Sequence, residues 1–466
     1  MNTQLQESHS PAASCSVLLY EHRAPRRANN SIKLKLGDHV RIKAEHIQRY
    51  CFVEGDPLQD DLAAVLSGVR MADRACNRQH SKGWARNLNV EVPVYDLCKW
   101  QSAEVMGSLT DALRYLTGDQ WHFEFKQRKE RPGNSGQAHL VDLPAQERVF
   151  MPYSNGLDSF ALANQVQRDS STTELILINV QAAHRLTNWK NLGRARDKDM
   201  QAVQVAVFFN EPHRTEPSFR SRPFIYDMLA GYGASLAQPA KVVIPENGQG
   251  SLGGSLVPLG DEAPHRSCHP GFTSRLTRLV NALTNVTVRF EHPALFQTKG
   301  QVLAQLASQK SASEAWLAGH RSCSYDARHS SQDKRSMHCG VCGNCLLRRV
   351  ALKWTGIEDT TDYRADDLTA TTFEGSFRGI VPRIHKSNHD VAFNSIRAMQ
   401  RMADLANSPQ NTRVATEAAS LSRALGEPIQ EVRTQLEKFL KQHQTEWSQF
   451  LDECGPQSWV ADLARN

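Results

Sequence analysis

The fold is decided by residues 148–164, which have the sequence Arg148-Val-Phe-Met-Pro-Tyr-Ser-Asn-Gly-Leu-Asp-Ser-Phe-Ala-Leu-Ala-Asn164. The stretch opens with a mostly apolar run, Val149 to Tyr153, that is long enough for a buried strand. It turns through Ser154-Asn-Gly156 and continues with apolar residues at helical spacing. Asp158 and Ser159 stand at the predicted helix start, where short polar side chains cap free backbone N–H groups. A strand, a tight turn and a helix N-terminus together predict a site for an anion, usually a phosphate.

The turn resembles the Ser-Gly-Gly-X-Asp-Ser loop of the PP-loop ATP pyrophosphatases. In that family the loop holds the β,γ-pyrophosphate of ATP while a substrate oxygen attacks the α-phosphate. The resemblance implies that the loop binds ATP and that three of its residues are catalytic. The implied ATP-binding residues are Ser154, Asn155, Gly156, Leu157, Asp158 and Ser159, and the implied catalytic residues are Ser154, Asp158 and Ser159. Asn155 replaces the family's second glycine, and Asn tolerates positive φ better than other non-glycine residues. An ordinary strand-to-helix turn with a good cap is the alternative.

Length and composition are those of a globular protein with several domains. The chain has 466 residues, which is enough for about two to four domains with a large core. Its net charge of +6 permits a nucleic-acid partner without requiring one. The polar N-terminus has no signal-peptide core, and no apolar run approaches the ~20 residues that cross a bilayer. We therefore expect a cytoplasmic protein with no membrane partner.

Four of the ten cysteines cluster between Cys323 and Cys345. The spacing Cys339-Gly-Val-Cys342-Gly-Asn-Cys345 lets three sulfurs converge on one point, and Cys323 can complete a tetrahedron. Four thiolates with no open position predict a structural Zn²⁺. An iron–sulfur cluster and free or redox cysteines are the alternatives. The other six cysteines are scattered, which favours a reducing compartment.

The composition divides the chain into four parts, with an α/β fold at the centre. Residues 1–30 predict a flexible leader, and 31–145 a small N-terminal α+β domain with nothing catalytic in it. Residues 146–385 alternate strands with helices, which predicts a parallel sheet with helices on both faces and ligands at the carboxyl ends of the strands. This part includes the zinc loop, 320–350. Residues 386–466 predict amphipathic helices that pack on the catalytic domain or, alternatively, dock a partner.

One glycine-rich motif suggests a different ligand, a dinucleotide. Gly248-Gln-Gly-Ser-Leu-Gly253 matches the G-x-G-x-x-G fingerprint of dinucleotide-binding proteins and follows a predicted strand. That fingerprint requires a helix to begin within it, and we expect none here, because the sequence continues with Gly254, Pro258 and Gly260. We therefore reject a dinucleotide site.

The turn and the four cysteines together resemble the 7-cyano-7-deazaguanine synthase (QueC) family, which combines a PP-loop of the HUP-type fold with a downstream zinc loop. Smaller matches lie at Ser221-Arg222 before a helix, at Cys268-His-Pro-Gly-Phe272 and at Ser322-Cys-Ser-Tyr325. The resemblance covers about residues 146–355 and implies that Gln181 and Arg222 contact ATP. It also implies ATP and Mg²⁺ as cofactors and a deazaguanine as the small-molecule substrate.

The differences between this sequence and the usual pattern of the family point to a special form of that family. This chain adds long segments on both sides of the resembling region, and the segment 245–252 replaces the family's usual sequence. Such enlarged members resemble those of bacterial anti-phage cassettes of the Qat type, in which the enzyme is thought to attach a deazaguanine to a partner protein's amino terminus. The resemblance therefore implies a ligase with a protein partner from the same cassette.

The expected reaction is the adenylation of 7-carboxy-7-deazaguanine, followed by amide formation with an amine. The amine is a partner's amino terminus or, alternatively, ammonia, which would give the free nitrile. A PP-loop tRNA-modifying enzyme and a non-catalytic zinc-stabilised binding subunit are further alternatives. Glu246 and Asn247, after a strand end, are candidates for contacting the base. His184, His213, His265, His269 and Cys268 are weaker candidates for acid–base or nucleophilic roles.

Overall fold

The computed structural model describes residues 13–24, 31–51, 56–79, 83–129, 146–154, 156–169, 173–182, 201–209, 215–260, 262–309, 322–325, 337–377, 386–408 and 411–465. Within these ranges the strands form one sheet of four strands and one of six. No helix in the described part of the chain combines the length and the apolar character needed to span a membrane.

The first sheet consists of parallel strands in the order β2-β1-β4-β5. Its strands are β1 (Ala13–Tyr20), β2 (Ser31–Lys35), β4 (Arg86–Val94) and β5 (Gln120–Gln127). The helices in this part of the chain are α1 (Glu45–Tyr50), α2 (Pro57–Ala75), α3 (Leu97–Trp100) and α4 (Ala103–Thr117). Side-chain caps start the two long helices: Asp56 accepts from Leu58 N, and Ser102 accepts from Val105 N.

The predicted flexible leader is wrong for residues 13–20, which form β1 at an inner position of this sheet. Val17, Leu18 and Leu19 are buried there. This apolar run is short and lies in a polar segment, so local composition hides a strand that is stabilised by pairing on both edges.

The strands are parallel, so this part has an α/β arrangement where the sequence predicts α+β. Alternation alone identifies strands but not their direction. The domain boundaries themselves remain predictions.

The second sheet has the order β10-β9-β6-β7-β8-β3. Its strands are β3 (Val40–Lys43), β6 (Arg148–Pro152), β7 (Glu174–Ala182), β8 (Gln201–Phe209), β9 (Ala240–Val243) and β10 (Phe290–Glu291). All described neighbours are parallel except β3, which comes from the N-terminal part and pairs antiparallel with β8. The predicted parallel α/β core is confirmed.

The chain order of the strands creates a switch point beside β6. Strands β7 and β8 follow on one side of β6, whereas β9 returns to its other side. Connections after β6 and after β9 therefore diverge at the carboxyl edge of the sheet. Open α/β sheets bind their ligands in the crevice that such a divergence leaves.

Helices cover both faces of the second sheet. They are α5 (Leu157–Asp169), α6 (Arg222–Leu236), α7 (Gly248–Leu256), α8 (Pro270–Thr284), α9 (Lys299–Gln309) and α10 (Gly343–Thr355). Successive β6 residues point to opposite faces. Phe150 packs in the cluster that contains α6 and α8, whereas Val149 and Met151 pack with Ala163 of α5.

The expectation that no helix begins at Gly248 is wrong, since α7 starts there. Asn247 caps it with its side-chain oxygen. A Cβ at Gly248 would lie only 2.5 Å from the carbonyl oxygen of Leu295, so glycine is needed for this close approach. Surrounding elements hold the helix and override the low helix propensity of glycine. The rejection of a dinucleotide site remains a prediction.

The predicted C-terminal helical region is confirmed. Its helices are α11 (Lys386–Leu405), α12 (Thr412–Leu425), α13 (Ile429–Cys454) and α14 (Trp459–Arg465). They pack on the central part in two clusters. Phe439 and Leu440 of α13 contact the apolar face of α7, and Trp447 packs with residues of α10 and α11.

A buried ionic network joins the N-terminal part to the loop before α6. Arg86 Nη2 lies 2.7 Å from carboxylate oxygens of both Asp73 and Asp119, and none of the three is more than 1% exposed. Asp73 Oδ2 also accepts a hydrogen bond from Ser221 N at 2.8 Å. The neighbouring Arg74 donates to the carbonyl oxygen of Glu216 at 2.6 Å. The start of α6 is thus fixed by residues of α2.

Cys15 and Cys76 form a disulfide between β1 and the end of α2. Both belong to the six cysteines that lie scattered along the sequence. Their separation of 61 residues carries no pairing signal, and only the packing of α2 on the sheet brings them together.

We predict that Asp73→Ala lowers the free energy of unfolding by about 3–5 kcal/mol, because it leaves the buried Arg86 guanidinium short of a partner. Chemical denaturation measures this change. Asp38→Ala is the matched control, since the Lys35–Asp38 pair is 36% and 61% exposed and such pairs contribute about 0–1 kcal/mol. Equal effects of the two substitutions would contradict the prediction.

Candidate active site and metal centre

Two serine hydroxyls close the loop between β6 and α5. Ser154 Oγ accepts a hydrogen bond from Gly156 N at 3.2 Å and lies 3.1 Å from Ser159 Oγ. Ser159 Oγ is also 2.6 Å from the carbonyl oxygen of Ser154. Leu157 anchors the loop in a buried cluster with α9 and α10, whereas Asn155 lies outside the described residues. The first turn of α5 thus presents its backbone N–H groups at the switch point.

Asp158 forms an ion pair with Lys299, a residue that the sequence analysis misses. Lys299 Nζ lies 2.5 Å from Asp158 Oδ2, and the two side chains are 4% and 19% exposed. Asn247 Nδ2 donates to the other carboxylate oxygen at 2.9 Å. Moving an ammonium out of water costs several kcal/mol unless it is paired, and Asp158 is the partner of Lys299. Lys299 begins α9 far along the chain and stands in no recognisable motif, so only the fold reveals it.

Glu246 and Asn247 follow β9 and stand beside the serine loop. Asn247 donates to Glu246 Oε1 through its backbone N at 3.1 Å and its side-chain Nδ2 at 2.9 Å. Burial raises the pKa of Glu246 to about 8, and the charge of Asp158 adds to this against the opposing effect of Lys299. At neutral pH Glu246 is therefore mainly protonated. The site then holds one carboxylate, that of Asp158, opposite one ammonium.

Gln181 and Arg222 lie at the end of the next strand. Gln181 pairs with Ala206 in the sheet, and its side chain lies outside what the structure describes. Arg222 is exposed, and its Nη2 donates to Tyr226 OH at 3.4 Å. Tyr226 OH in turn donates to the carbonyl oxygen of Val180 at 2.9 Å. These contacts bring Arg222 close to the end of the strand that contains Gln181. That Gln181 and Arg222 contact ATP stays a prediction.

The weaker polar candidates have other surroundings. His269 is buried, with Nε2 2.6 Å from a carboxylate oxygen of Glu417 in α12 and Nδ1 3.0 Å from Tyr115 OH in α4. It therefore joins the N-terminal, central and C-terminal parts. Burial raises the pKa of the Cys268 thiol well above its usual value, which disfavours a thiolate nucleophile. His184 and His213 lie outside the described residues.

The four predicted metal ligands converge. One sulfur each from Cys323, Cys339, Cys342 and Cys345 lies within 4.8 Å of the others. The sulfurs of Cys339 and Cys345 are 3.8 Å apart. A tetrahedral zinc site with Zn–S bonds of ~2.3 Å requires sulfur separations of ~3.8 Å. The set fits a single ion, whereas an iron–sulfur cluster binds its cysteines through different irons and holds them further apart.

The surroundings of the sulfurs suit a charged metal centre. Backbone N–H groups donate to three of them: Cys339 N to Cys323 Sγ at 3.4 Å, Cys342 N to Cys339 Sγ at 3.3 Å and Ser324 N to Cys342 Sγ at 3.5 Å. The buried Arg348 donates to Ser322 Oγ at 3.2 Å. Such donors stabilise thiolates and orient them. Because all four positions are filled by sulfur, a zinc ion here would be structural and would hold the start of α10.

The chain is similar over about half of its length to proteins named 7-cyano-7-deazaguanine synthase. One from Rhizobium rhizogenes strain K84 is 29% identical over 252 residues, which cover 49% of this chain and 97% of the relative. One from Brucella canis is 34% identical over 246 residues, which cover 47% of this chain and 95% of the relative. The chain belongs to the 7-cyano-7-deazaguanine synthase family. No protein-family model matches it.

Membership of the 7-cyano-7-deazaguanine synthase family confirms the resemblance and supports an enzyme. The relatives are matched over nearly their whole length, so about half of this chain has no counterpart in them. The resemblance to the enlarged Qat-type members stays a prediction.

We predict one zinc ion per chain and its loss in Cys342→Ser, because three thiolates cannot close the tetrahedron. Elemental analysis of protein purified without added zinc gives the stoichiometry, and thermal melting is expected to show a lower midpoint for the variant. Cys98→Ser, at an exposed cysteine outside the cluster, is the control and is expected to keep the metal. Iron with acid-labile sulfide would overturn the assignment.

We also predict that pyrophosphate release declines above about pH 8. Below the raised pKa of Glu246 the carboxyl group is neutral. Above it, a second negative charge stands beside the anion site and repels anionic substrates. The pH profile of kcat/KM for ATP measures the effect, and Glu246→Gln is expected to remove the decline. An unchanged profile in that variant would assign the decline to another group.

Proposed function

We propose that the protein is a cytoplasmic ATP-dependent ligase that adenylates the carboxylate of 7-carboxy-7-deazaguanine and passes it to an amine. The observation that carries this proposal is the ion pair of Asp158 and Lys299 at the switch point, beside the N-terminus of α5. A cation beside the backbone N–H groups of a helix start supports the binding of a polyphosphate here. Family membership supplies the deazaguanine as substrate class.

The reaction needs ATP because a carboxylate has no good leaving group. A carboxylate oxygen attacks the α-phosphorus of ATP, the bond to the β-phosphate oxygen breaks, and pyrophosphate leaves. An amine then attacks the acyl carbon, AMP departs with the C–O bond electrons, and the nitrogen loses a proton to give an amide. Each step releases an anion, so fixed positive groups lower both barriers.

The described residues take distinct roles in this scheme. The N–H groups of the loop and the hydroxyls of Ser154 and Ser159 face the leaving pyrophosphate, and Lys299 offsets its charge. Asp158 orients Lys299 and would ligate Mg²⁺, which prefers oxygen ligands and would share the phosphate charge when bound. Arg222 and Gln181 are assigned to the nucleotide, and Glu246 and Asn247 to the base.

The acceptor we propose is the amino terminus of a partner protein from the same anti-phage cassette. The parts of the chain outside the resembling region, residues 146–355, offer surface for a partner, which needs about 800 Å² on each side. An amine that is held by docking also reacts faster than free ammonia, because docking raises its effective concentration at the site. The alternative is the free nitrile synthase, which uses ammonia. A tRNA-modifying enzyme would require a free cysteine pair near ATP, and the convergence of the four cysteines on one point leaves Cys268 without a described partner there.

The test is to incubate the enzyme with ATP, Mg²⁺ and 7-carboxy-7-deazaguanine, with and without the protein encoded beside it. Pyrophosphate release and the mass of every product are measured. We expect pyrophosphate in both reactions and an added mass on the partner's amino terminus. Efficient nitrile release with no mass on the partner would leave the simpler synthase, and no pyrophosphate from this substrate would contradict the adenylation.

Asp158→Asn is the matched variant for this experiment, because it keeps the shape but removes the charge that pairs Lys299. We predict that pyrophosphate release falls at least about a hundredfold. Asp111→Asn is the control, since Asp111 pairs with arginines of α8 on the surface. Near-normal turnover in Asp158→Asn would show that the loop is not the ATP site.

A further inference from the structure

One face of the C-terminal helix α13 reaches the starts of two helices of the site. Phe439, His443 and Glu446 are spaced four and three residues apart, which places them on one stripe of α13. None of the three is more than 1% exposed. The stripe meets α7, which Asn247 caps, and α9, whose first residue is Lys299.

Glu446 contacts the residue before Lys299. The hydroxyl of Thr298 donates a hydrogen bond to Glu446 Oε1, which also accepts one from Gln442 Nε2 at 2.9 Å. Thr298 Oγ1 accepts from Gln301 N at 3.1 Å, and Thr298 N donates to Gln301 Oε1 at 2.9 Å. This reciprocal pair is a capping box, which fixes the first turn of a helix. Glu446 therefore binds the capping residue of the helix that begins with Lys299.

His443 supports Lys299 by a second route. Lys299 N donates to Gln249 Oε1 at 2.8 Å, and Nε2 of the same glutamine lies 3.5 Å from His443 Nδ1. His443 Nε2 is 3.0 Å from the carbonyl oxygen of Met399. A carbonyl oxygen only accepts, so Nε2 carries the proton and Nδ1 accepts from Gln249. Burial lowers the pKa of His443 to about 4, so the ring keeps this neutral form at neutral pH.

Two glycines allow α13 to come this close. A Cβ at Gly248 would lie 2.5 Å from the ring of Phe439, and one at Gly300 would lie 2.8 Å from Glu446 Oε1. A larger residue at either position would displace the α13 side chain that faces it. The starts of α7 and α9 are thus both shaped for contact with this stripe.

The carboxyl group of Glu446 acts mainly as a hydrogen-bond acceptor. Burial raises its pKa to about 7, while the hydrogen bonds from Thr298 and Gln442 lower it. Near neutral pH about half of the molecules therefore carry the neutral form, and either form accepts from Thr298. Glutamine has the same shape and keeps an acceptor oxygen. Alanine would leave the buried Thr298 hydroxyl without this acceptor.

We propose that Glu446 and His443 are positioning residues for Lys299, which makes α13 a required part of the ATP site. The inference rests on the proposed function, in which Lys299 offsets the charge of the leaving pyrophosphate. It adds that the position of this ammonium depends on a helix outside the region that resembles the family, residues 146–355. A shift of the α9 start would move the ammonium away from the charge that develops in the transition state.

The first test measures how firmly Lys299 is held, without the reaction. The full-length protein is treated with an acylating reagent that modifies accessible lysines, and the peptide containing Lys299 is followed by mass spectrometry. We expect modification at least about tenfold faster in Glu446→Ala than in the wild type, because the start of α9 opens more often. Glu446→Gln is expected to stay near the wild-type rate. Glu437→Ala is the matched control, because it removes an exposed ion pair of the same helix.

Lys241 of β9 serves as the internal standard, since it is 26% exposed and paired with Glu291. Its rate is expected to be the same in all variants. An unchanged rate at Lys299 in a folded Glu446→Ala protein would overturn the proposal, as would an equal rise at Lys241, which would show general loosening of the fold. His443→Phe keeps an aromatic ring but removes the acceptor for Gln249. It is expected to expose Lys299 in the same way, and it decides the question if Glu446→Ala does not fold.

The second test measures turnover. Pyrophosphate release from ATP and 7-carboxy-7-deazaguanine is expected to show a kcat at least about tenfold lower in Glu446→Ala, with a KM for ATP within about threefold of wild type. Recovery is expected in Glu446→Gln. A lower melting temperature with unchanged kcat would contradict the positioning role. If Lys299 becomes reactive in Glu446→Ala but the wild type releases no pyrophosphate, the positioning of Lys299 stands and the proposed function fails.

Discussion

The burial of one ammonium group constrains the rest of the site. Lys299 is almost wholly enclosed, and Asp158 lies against it as the partner that offsets the cost of burying an ammonium. Asp158 in turn receives a hydrogen bond from Asn247, which also caps α7. Three connections at the carboxyl edge of the sheet are thereby fixed relative to one another. The ion pair and its hydrogen bond thus connect the loop, α7 and α9.

The N-terminal and C-terminal parts both support that arrangement from outside. From the N-terminal part, Asp73 fixes the backbone at Ser221, one residue before Arg222. From the C-terminal part, Glu446 of α13 accepts a hydrogen bond from Thr298, next to Lys299. A Cβ at Gly300 would lie 2.8 Å from the same carboxylate, so the two segments are in close contact. The two parts therefore complete the environment of the site.

Local patterns in the sequence predict the core well and the connections poorly. Val149 to Tyr153 and the helix after it are recognised because hydrophobic period and capping agree there. The four cysteines are recognised because a metal demands short spacing. Lys299 is not predicted as a site residue, because its importance arises from a partner 141 residues away in the sequence. The strand at residues 13–20 is not predicted, because pairing with its neighbours stabilises it rather than its composition. The helix α7 is not predicted, because its glycines have a low helix propensity.

The glycines of α7 also bear on how the protein folds. Four of its nine residues are glycine, and each costs about 1 kcal/mol in a helix relative to alanine, so about 4 kcal/mol oppose its formation in isolation. Contacts with Leu295 and Phe439 therefore have to offset this cost. We infer that α7 is among the last helices to form. The crevice at the switch point would then be completed only after the C-terminal helices have docked, so nascent chains that lack them would not yet hold a finished site.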